Sequence, residues 1–277
     1  MKWNGAEFEK SLHNLAMFGL DNCIGSNDCM IVCPVNRLKV NQHELDSVLV
    51  SGEWTERVET FVTECIQCGD CTLACPAGVQ RDHMMLYMKT MLPKIPRSWR
   101  QYYLLKGRQD QSWLISAYDV VARIIAGPLG KHVDKSKFER KDLLFYFGCY
   151  IFSPSGAPAA TLKLANRLGL DYEVLAGVRS CCGWPQYLSG QMGYGQQMLT
   201  HVGSLIKKVE PKWIVSGCAE CYAPRLRLKK KTGARWIPLT TPAWLHGQTD
   251  NLSWKTFEQQ MAFHDSCHVT KKVGKPQ

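Results

Sequence analysis

All thirteen cysteines of the chain fall in motif-like positions, and their spacing is the first clue to chemistry. The run CIQCGDCTLACP (65–76) reads C-x2-C-x2-C-x3-C-P, with Cys65, Cys68, Cys71 and Cys75 ahead of Pro76. An earlier run, CIGSNDCMIVCP (23–34), repeats it with Cys23, Cys29 and Cys33 ahead of Pro34, and puts Ser26 where the other has Cys68. Thiolates are soft donors suited to iron, and short spacers let backbone amides wrap a bound sulfide. A serine hydroxyl is harder and far less acidic, so it is a poor substitute ligand. A zinc knuckle is the plainer reading of such a run, but zinc sites seldom use this tripled spacing with a closing Cys-Pro.

The complete run resembles that of two-cluster bacterial ferredoxins, in which three cysteines hold one iron–sulfur cluster and the fourth crosses to the other. Two runs in one chain then imply an exchange. Cys65, Cys68 and Cys71 with Cys33 are expected to bind one 4Fe-4S cluster, and Cys23 and Cys29 with Cys75 a second cluster. The Cys-x5-Cys-x3-Cys-Pro spacing at 23–34 also resembles the three-iron run of the iron–sulfur protein of succinate dehydrogenase. That resemblance implies a 3Fe-4S cluster on Cys23, Cys29 and Cys75. The competing expectation is an atypical 4Fe-4S cluster whose fourth iron takes Ser26, water or another ligand.

The elements that must position these thiols follow from periodicity. AEFEKSLHNLAMFGL has apolar residues at helical spacing, and HELDSVLVSGEWTERVETFV reads as helix pieces around a Gly turn. DHMMLYMKTML (82–92) invites a binding-groove reading, but Met at helical spacing is usually core packing. PKIPRSWRQ breaks structure, and SWLISAYDVVARIIAGPLG (112–130) reads as an amphipathic helix, too short and too charged to span a bilayer. GPLGKHVDKSKFERKD reads as a polar connector.

From 141 onward the pattern alternates strand and helix. KDLLFYFGC, DYEVLA, KWIVSGC, ARWIPL and QMAFHDSC are expected as strands. GAPAATLKLANRLGL, QQMLTHVGSLIKKVE and AECYAPRLRLKKK are expected as helices. Three of these strands run directly into Cys149, Cys218 and Cys267. Ligands in open parallel sheets sit beyond the carboxyl ends of strands, so the cysteines should converge on one rim.

FGCY (147–150), SCCGWPQYLSG (180–190), GCAECY (217–222) and HDSCH (264–268) together resemble the CCG, or cysteine-rich, domain of the heterodisulfide reductase B subunit and its relatives. With the upstream double run, most of the chain resembles a fused C-plus-B arrangement, as in the heterodisulfide reductase D subunit and the anaerobic glycerol-3-phosphate dehydrogenase C subunit. The resemblance implies that Cys149, Cys181, Cys182, Cys218 and Cys221 form one site for a non-cubane 4Fe-4S cluster. Five thiolates are one more than a cubane needs, which also suits an atypical cluster. HDSCHVTKKVGKPQ looks like the opening of a second CCG repeat, cut off after Cys267. His264 and His268 flank Cys267 and are read as hydrogen-bonded structural residues rather than ligands.

The expected fold is therefore α+β overall. A helix-rich ferredoxin-like domain (1–90) and a helical connector (91–140) precede an α/β CCG domain with a parallel sheet (141–277). A hydrophobic content of 45% with 21% charged residues is ordinary for a globular protein. The N-terminus lacks an apolar signal region, so thirteen cysteines point to metal or redox use in a reducing, cytoplasmic setting rather than to disulfides.

The net charge of +10 comes without aromatic interleaving or a nucleic-acid motif, which argues for an acidic redox partner over nucleic acid. No G-x-G-x-x-G after a strand and no P-loop is present, so flavin or nicotinamide chemistry would belong to a partner. The leading expectation is an iron–sulfur electron-transfer subunit of an oxidoreductase. It would be cytoplasmic, or peripheral on the cytoplasmic membrane through a partner. Its partners would be a flavoprotein dehydrogenase, a ferredoxin, or a membrane cytochrome or quinone-reducing subunit. The alternative is a catalytic subunit that reduces a disulfide or heterodisulfide, or oxidises thiols, at the CCG cluster.

Overall fold

The computed structural model describes residues 5–93, 120–153, 155–222, 229, 233–253, 258–260, 262 and 265–271. Residues 94–101 of the Pro-rich break and 112–119 of the amphipathic segment lie outside them. The described chain divides into two compact units. The first takes in 5–93 and Gly183–Gln197, and the second 120–182 and the residues from Met198 onward.

The first unit is all helical: α1 (Gly5–Asp21), α2 (Asp28–Ile31), α3 (Gln42–Ser51), α4 (Glu56–Glu64), α5 (Asp70–Leu73) and α6 (Arg81–Met91). The expected helix–Gly–helix piece is α3–α4. Asn41 opens α3 with a reciprocal capping box, its side chain accepting from the Glu44 amide at 3.0 Å while Glu44 accepts from the Asn41 amide at 2.8 Å. Gly52 closes α3 in the left-handed region, and Thr55 caps α4. One face of this pair, with Leu45, Val48, Val58, Phe61 and Val62, packs on Met84, Met85 and Met88 of α6. The Met-rich segment is core, as its spacing suggested.

The two cysteine runs share a backbone as well as a spacing. Gly25 and Gln67 hold matching positions at φ 71° and 59°, and Asn27 and Gly69 at φ 63° and 88°. Each pair of left-handed residues leads into a one-turn helix, α2 or α5, that carries the next cysteine. The repeat is thus structural, and exposed Ser26 occupies the position in the first loop that Cys68 occupies in the second.

The second unit is built on β1 (Leu143–Gly148), β2 (Tyr172–Ala176), β3 (Trp213–Ser216) and β4 (Ile237–Thr240), all parallel in the order β2-β1-β3-β4. Helix α7 (Ala157–Arg167) returns the chain from β1 to β2, and α9 (Met192–Val209) leads into β3. Strand β1 is central and wholly buried, as a strand covered on both faces should be. Phe145 of β1 meets Trp244 of α10 (Thr241–His246) edge to face, with ring centroids 5.1 Å apart. The chain reverses its direction of winding at β1, which places a topological switch point between the carboxyl ends of β1 and β3. Helix α8 (Trp184–Leu188) follows Cys182 and groups with the first unit.

One expected strand, QMAFHDSC (260–267), lies in part outside the described residues. The described residues of QMAFHDSC are not extended pairs of the sheet, and Cys267 opens a short helix, α11 (Cys267–Thr270). Ser266 stands at the start of this helix. It takes an extended conformation at the N-cap, and its carbonyl accepts from the amides of Val269 and Thr270 at 2.9 Å. The helix expected from Ala219 begins there over 219–222, with most of the remainder outside the described residues.

Candidate metal centres

In the first unit the thiols fall into two neighbouring sets. Burial raises the pKa of Cys29 and the Arg81 guanidinium lowers it, followed by the raising influences of Cys75 and Cys23. Cys29 therefore neighbours both Cys23 of its own run and Cys75 of the other run. Cys33 is raised by burial and by Cys65, and Cys71 by burial, Cys65 and Cys68. A cavity is lined by Cys33, Cys65, Cys68 and Cys71, with Phe61 and Met85 among its apolar walls. Cys29 also acts on Cys71, so the two sets adjoin.

The polar surroundings of the two sets differ. Arg81 begins α6, is 3% exposed, and donates from Nη2 to Cys23 Sγ at 2.7 Å. The Gly25 amide donates to the same sulfur at 3.4 Å. In the other set, Gln67 donates from Nε2 to Cys65 Sγ at 3.6 Å. Lys89 is buried with its Nζ 3.1 Å from the Thr63 carbonyl, and burial lowers its pKa while Cys65 raises it.

The second unit gathers five of the other six thiols into a chain. Cys181 Sγ lies 3.6 Å from Cys149 Sγ, and Cys221 Sγ lies 3.4 Å from Cys182 Sγ. Cys181 is raised by its contacts with Cys149 and Cys182, and Cys221 by those with Cys182 and Cys218, with burial adding to both. Cys149 follows directly on β1, and Cys218 stands two residues beyond β3, so the thiols collect at the carboxyl rim of the sheet, at the switch point. Tyr146 fixes the approach by donating to the Ser180 carbonyl at 2.7 Å. Asp134 holds the preceding turn, accepting from the Val178 and Arg179 amides at 3.0 and 2.9 Å.

These residues fit iron–sulfur clusters. Buried thiols in mutual contact resist deprotonation, and bound iron supplies the positive charge that stabilises them as thiolates. Arg81 Nε and Gln67 Oε1 are buried with no hydrogen-bond partner among the described residues, and the Arg81 donor suits a sulfide acceptor. Among the described residues no three His, Cys, Asp or Glu side chains converge to hold a single ion. A chain of thiols suits several irons better than one.

Cys267 lies on α11, with its sulfur 3.4 Å from Nδ1 of buried His268. His264 lies outside the described residues. Arg81, Lys89 and Asp134 escaped the sequence reading, because each reaches its partner from a distant segment with no spacing signal.

Comparison with known proteins agrees with this geometry. Residues 22–79 match the 4Fe-4S dicluster domain, and residues 143–224 match the cysteine-rich CCG domain. The D subunit of the dihydromethanophenazine:CoB–CoM heterodisulfide reductase of Methanosarcina barkeri is 24% identical, over 96% of this chain and 72% of that protein. Its counterpart in Methanosarcina acetivorans is 21% identical over the same shares. The B subunit of the fumarate reductase (CoM/CoB) of Methanothermobacter marburgensis is 19% identical, over 92% of this chain and 53% of its own length. No solved structure gave a significant match. The chain thus matches a dicluster domain followed by a CCG domain, and over most of its length it is similar to heterodisulfide reductase D subunits. No helix among the described residues is long and apolar enough to cross a membrane.

Proposed function

We propose that the chain is the electron-transfer subunit of an anaerobic-type oxidoreductase complex, passing electrons between two ferredoxin-type clusters and a cluster on the CCG thiols. Cys33, Cys65, Cys68 and Cys71 hold a 4Fe-4S cluster. Cys23, Cys29 and Cys75 hold a 3Fe-4S cluster, with Ser26 marking the omitted iron. Cys149, Cys181, Cys182, Cys218 and Cys221 hold a non-cubane 4Fe-4S cluster.

The observation that carries this reading is the grouping of the thiols. In the first unit Cys29 neighbours Cys75 of the other run and Cys33 neighbours Cys65, which supports two sets exchanged between the runs, and five more thiols form a continuous chain at the rim of the sheet. Bound clusters supply one-electron steps at potentials set by charge, burial and hydrogen bonds to sulfur. The protein's part is to fix the sulfurs and keep water from them: Cys29, Cys181, Cys182 and Cys221 are all buried. The net charge of +10 supports docking of an acidic redox partner, such as a flavoprotein dehydrogenase, a ferredoxin or a membrane cytochrome or quinone-reducing subunit. Such a partner would hold the chain in the cytoplasm or at the cytoplasmic face of the membrane.

A second reading is disulfide reduction at the CCG thiols, by two electrons and two protons to give two thiols. It is favoured by the fifth thiol, beyond the four of a cubane, and by the heterodisulfide reductase relatives. Dye-reduced protein mixed anaerobically with a disulfide and with a quinone analogue separates the two. Electron delivery to the quinone without release of free thiol is expected. Stoichiometric thiol release by the chain alone would overturn the relay reading.

Low-temperature EPR with iron and sulfide analysis tests the clusters themselves. The native oxidised protein should show a three-iron signal that disappears in Ser26→Cys. A silent oxidised protein with full four-iron content would make Ser26 or solvent the fourth ligand instead.

A further inference from the structure

Arg81 is buried more deeply than a structural ion pair requires. Its Nη1 donates to Asp46 Oδ1 at 2.9 Å and contacts Met84 Sδ at 3.3 Å, while Nη2 faces Cys23 Sγ at 2.7 Å. Gln42, on the same helix as Asp46, donates to the Asp46 carboxylate. Burying such a pair gains little for folding alone, because desolvation offsets the attraction. The guanidinium instead spends one edge on Asp46 and presents the other to a ligand sulfur, with Nε left for a further acceptor. Among the described residues no guanidinium or ammonium hydrogen-bonds a sulfur of the second set: Gln67 donates a neutral amide to Cys65 Sγ at 3.6 Å, and buried Lys89, which feels the Cys65 charge, spends its Nζ on the Thr63 carbonyl at 3.1 Å.

We propose that Arg81, balanced by Asp46, is a positioning residue that holds the Cys23–Cys29–Cys75 cluster at a higher reduction potential than the cluster on Cys33, Cys65, Cys68 and Cys71. A fixed positive charge favours the reduced cluster, which carries one more negative charge. In a site of low dielectric the effect is far larger than in water. A hydrogen bond from a cation to a ligand thiolate withdraws charge from the sulfur and acts in the same direction. Electrons entering the dicluster domain would therefore collect on the Cys23 side. The inference rests on the ligand sets proposed above.

The test is an EPR-monitored redox titration of the full chain, with dithionite and dye mediators as reductants. Arg81→Gln should lower the one-electron reduction constant of the Cys23-side cluster about tenfold, which is about 59 mV. Asp46→Asn should raise it, because the guanidinium charge is then uncompensated. Arg81→Lys should recover most of the native value, and in every variant the other cluster should move less than twofold. A merely structural role would not shift one cluster in opposite directions in the two variants. An Arg81→Gln protein with full iron content and unmoved potentials would overturn the proposal. Should that variant fail to assemble, an unmoved potential in Asp46→Asn would overturn it equally. Cys23→Ser separates the ligand reading from the tuning. Persistence of both dicluster signals there would sink the ligand assignment, whereas loss of one identifies the signal to follow.

Discussion

Replacing Asp134 by alanine should loosen the turn that delivers Cys181 and Cys182 to the CCG site. The carboxylate accepts from two successive amides, Val178 at 3.0 Å and Arg179 at 2.9 Å, and the Asp134 amide donates to the Ala176 carbonyl at 2.9 Å. Gly177 lies between them at φ 111°, where a Cβ would come within 2.3 Å of Asp134 Oδ1. The carboxylate thus fills the space that a side chain at 177 would take. Hydrogen bonds to a charged acceptor are worth about 1.5–3 kcal/mol each. Val178 is buried, so water cannot easily replace its lost partner. A combined loss of about 3 kcal/mol follows, and Asp134→Asn, which keeps one acceptor oxygen, should lose about half of that.

If the cost falls on local opening of this turn, the open population rises on the order of a hundredfold. Cys181, fully buried in the native fold, reports that population directly. Its alkylation in iron-free protein should accelerate by about two orders of magnitude in Asp134→Ala, with Asp134→Asn between the two. Iron bound per chain should fall in the same order. Unchanged alkylation of Cys181 with undiminished iron in Asp134→Ala would refute the reasoning.

Gly190→Ala should destabilise the first unit, because Gly190 sits at φ 75° and a Cβ there would meet the Lys89 carbonyl oxygen at 2.0 Å and its carbon at 2.5 Å. Both obstacles are backbone, so a loss of about 2 kcal/mol or more is expected in urea unfolding, and an unshifted midpoint would count against the close approach. Burial, with Lys131 and Lys135, pushes the pKa of His132 down to about 4. The unfolded chain, with its imidazole near the ordinary value of about 6.5, binds the proton that the folded one refuses. Stability should therefore fall as pH drops from about 6.5 to about 4, by about 2 kcal/mol once partial exposure is discounted, and His132→Gln should remove that slope from the pH profile of unfolding.

The two cysteine runs and the CCG motif were legible in the sequence because their pattern is local. A cluster loop must bend the chain within a few residues, and that demand leaves fixed spacings and left-handed positions, at Gly25 and Asn27 in one run and at Gln67 and Gly69 in the other. The parallel sheet was legible for a similar reason, since β1 is an unbroken apolar run bounded by a Gly-Cys step. The end of QMAFHDSC was not legible, because apolar residues near a cysteine look alike ahead of a strand end or a helix start, and Cys267 opens a short helix.

What surrounds the sulfurs obeys no such periodicity. Arg81 reaches Cys23 across 58 residues, and Asp134 reaches Val178 across 44, from a segment whose charge made it look like a connector. The division between the units falls between Cys182 and Gly183, inside the motif that identified the CCG domain. A motif records where a metal is held; the groups that set its charge and its exposure to water need only one side chain each, supplied from anywhere in the fold. Two chains with identical cysteine spacing can therefore hold the same clusters at different potentials, and the difference would lie in residues such as Arg81 and Asp46, which the spacing leaves free to change.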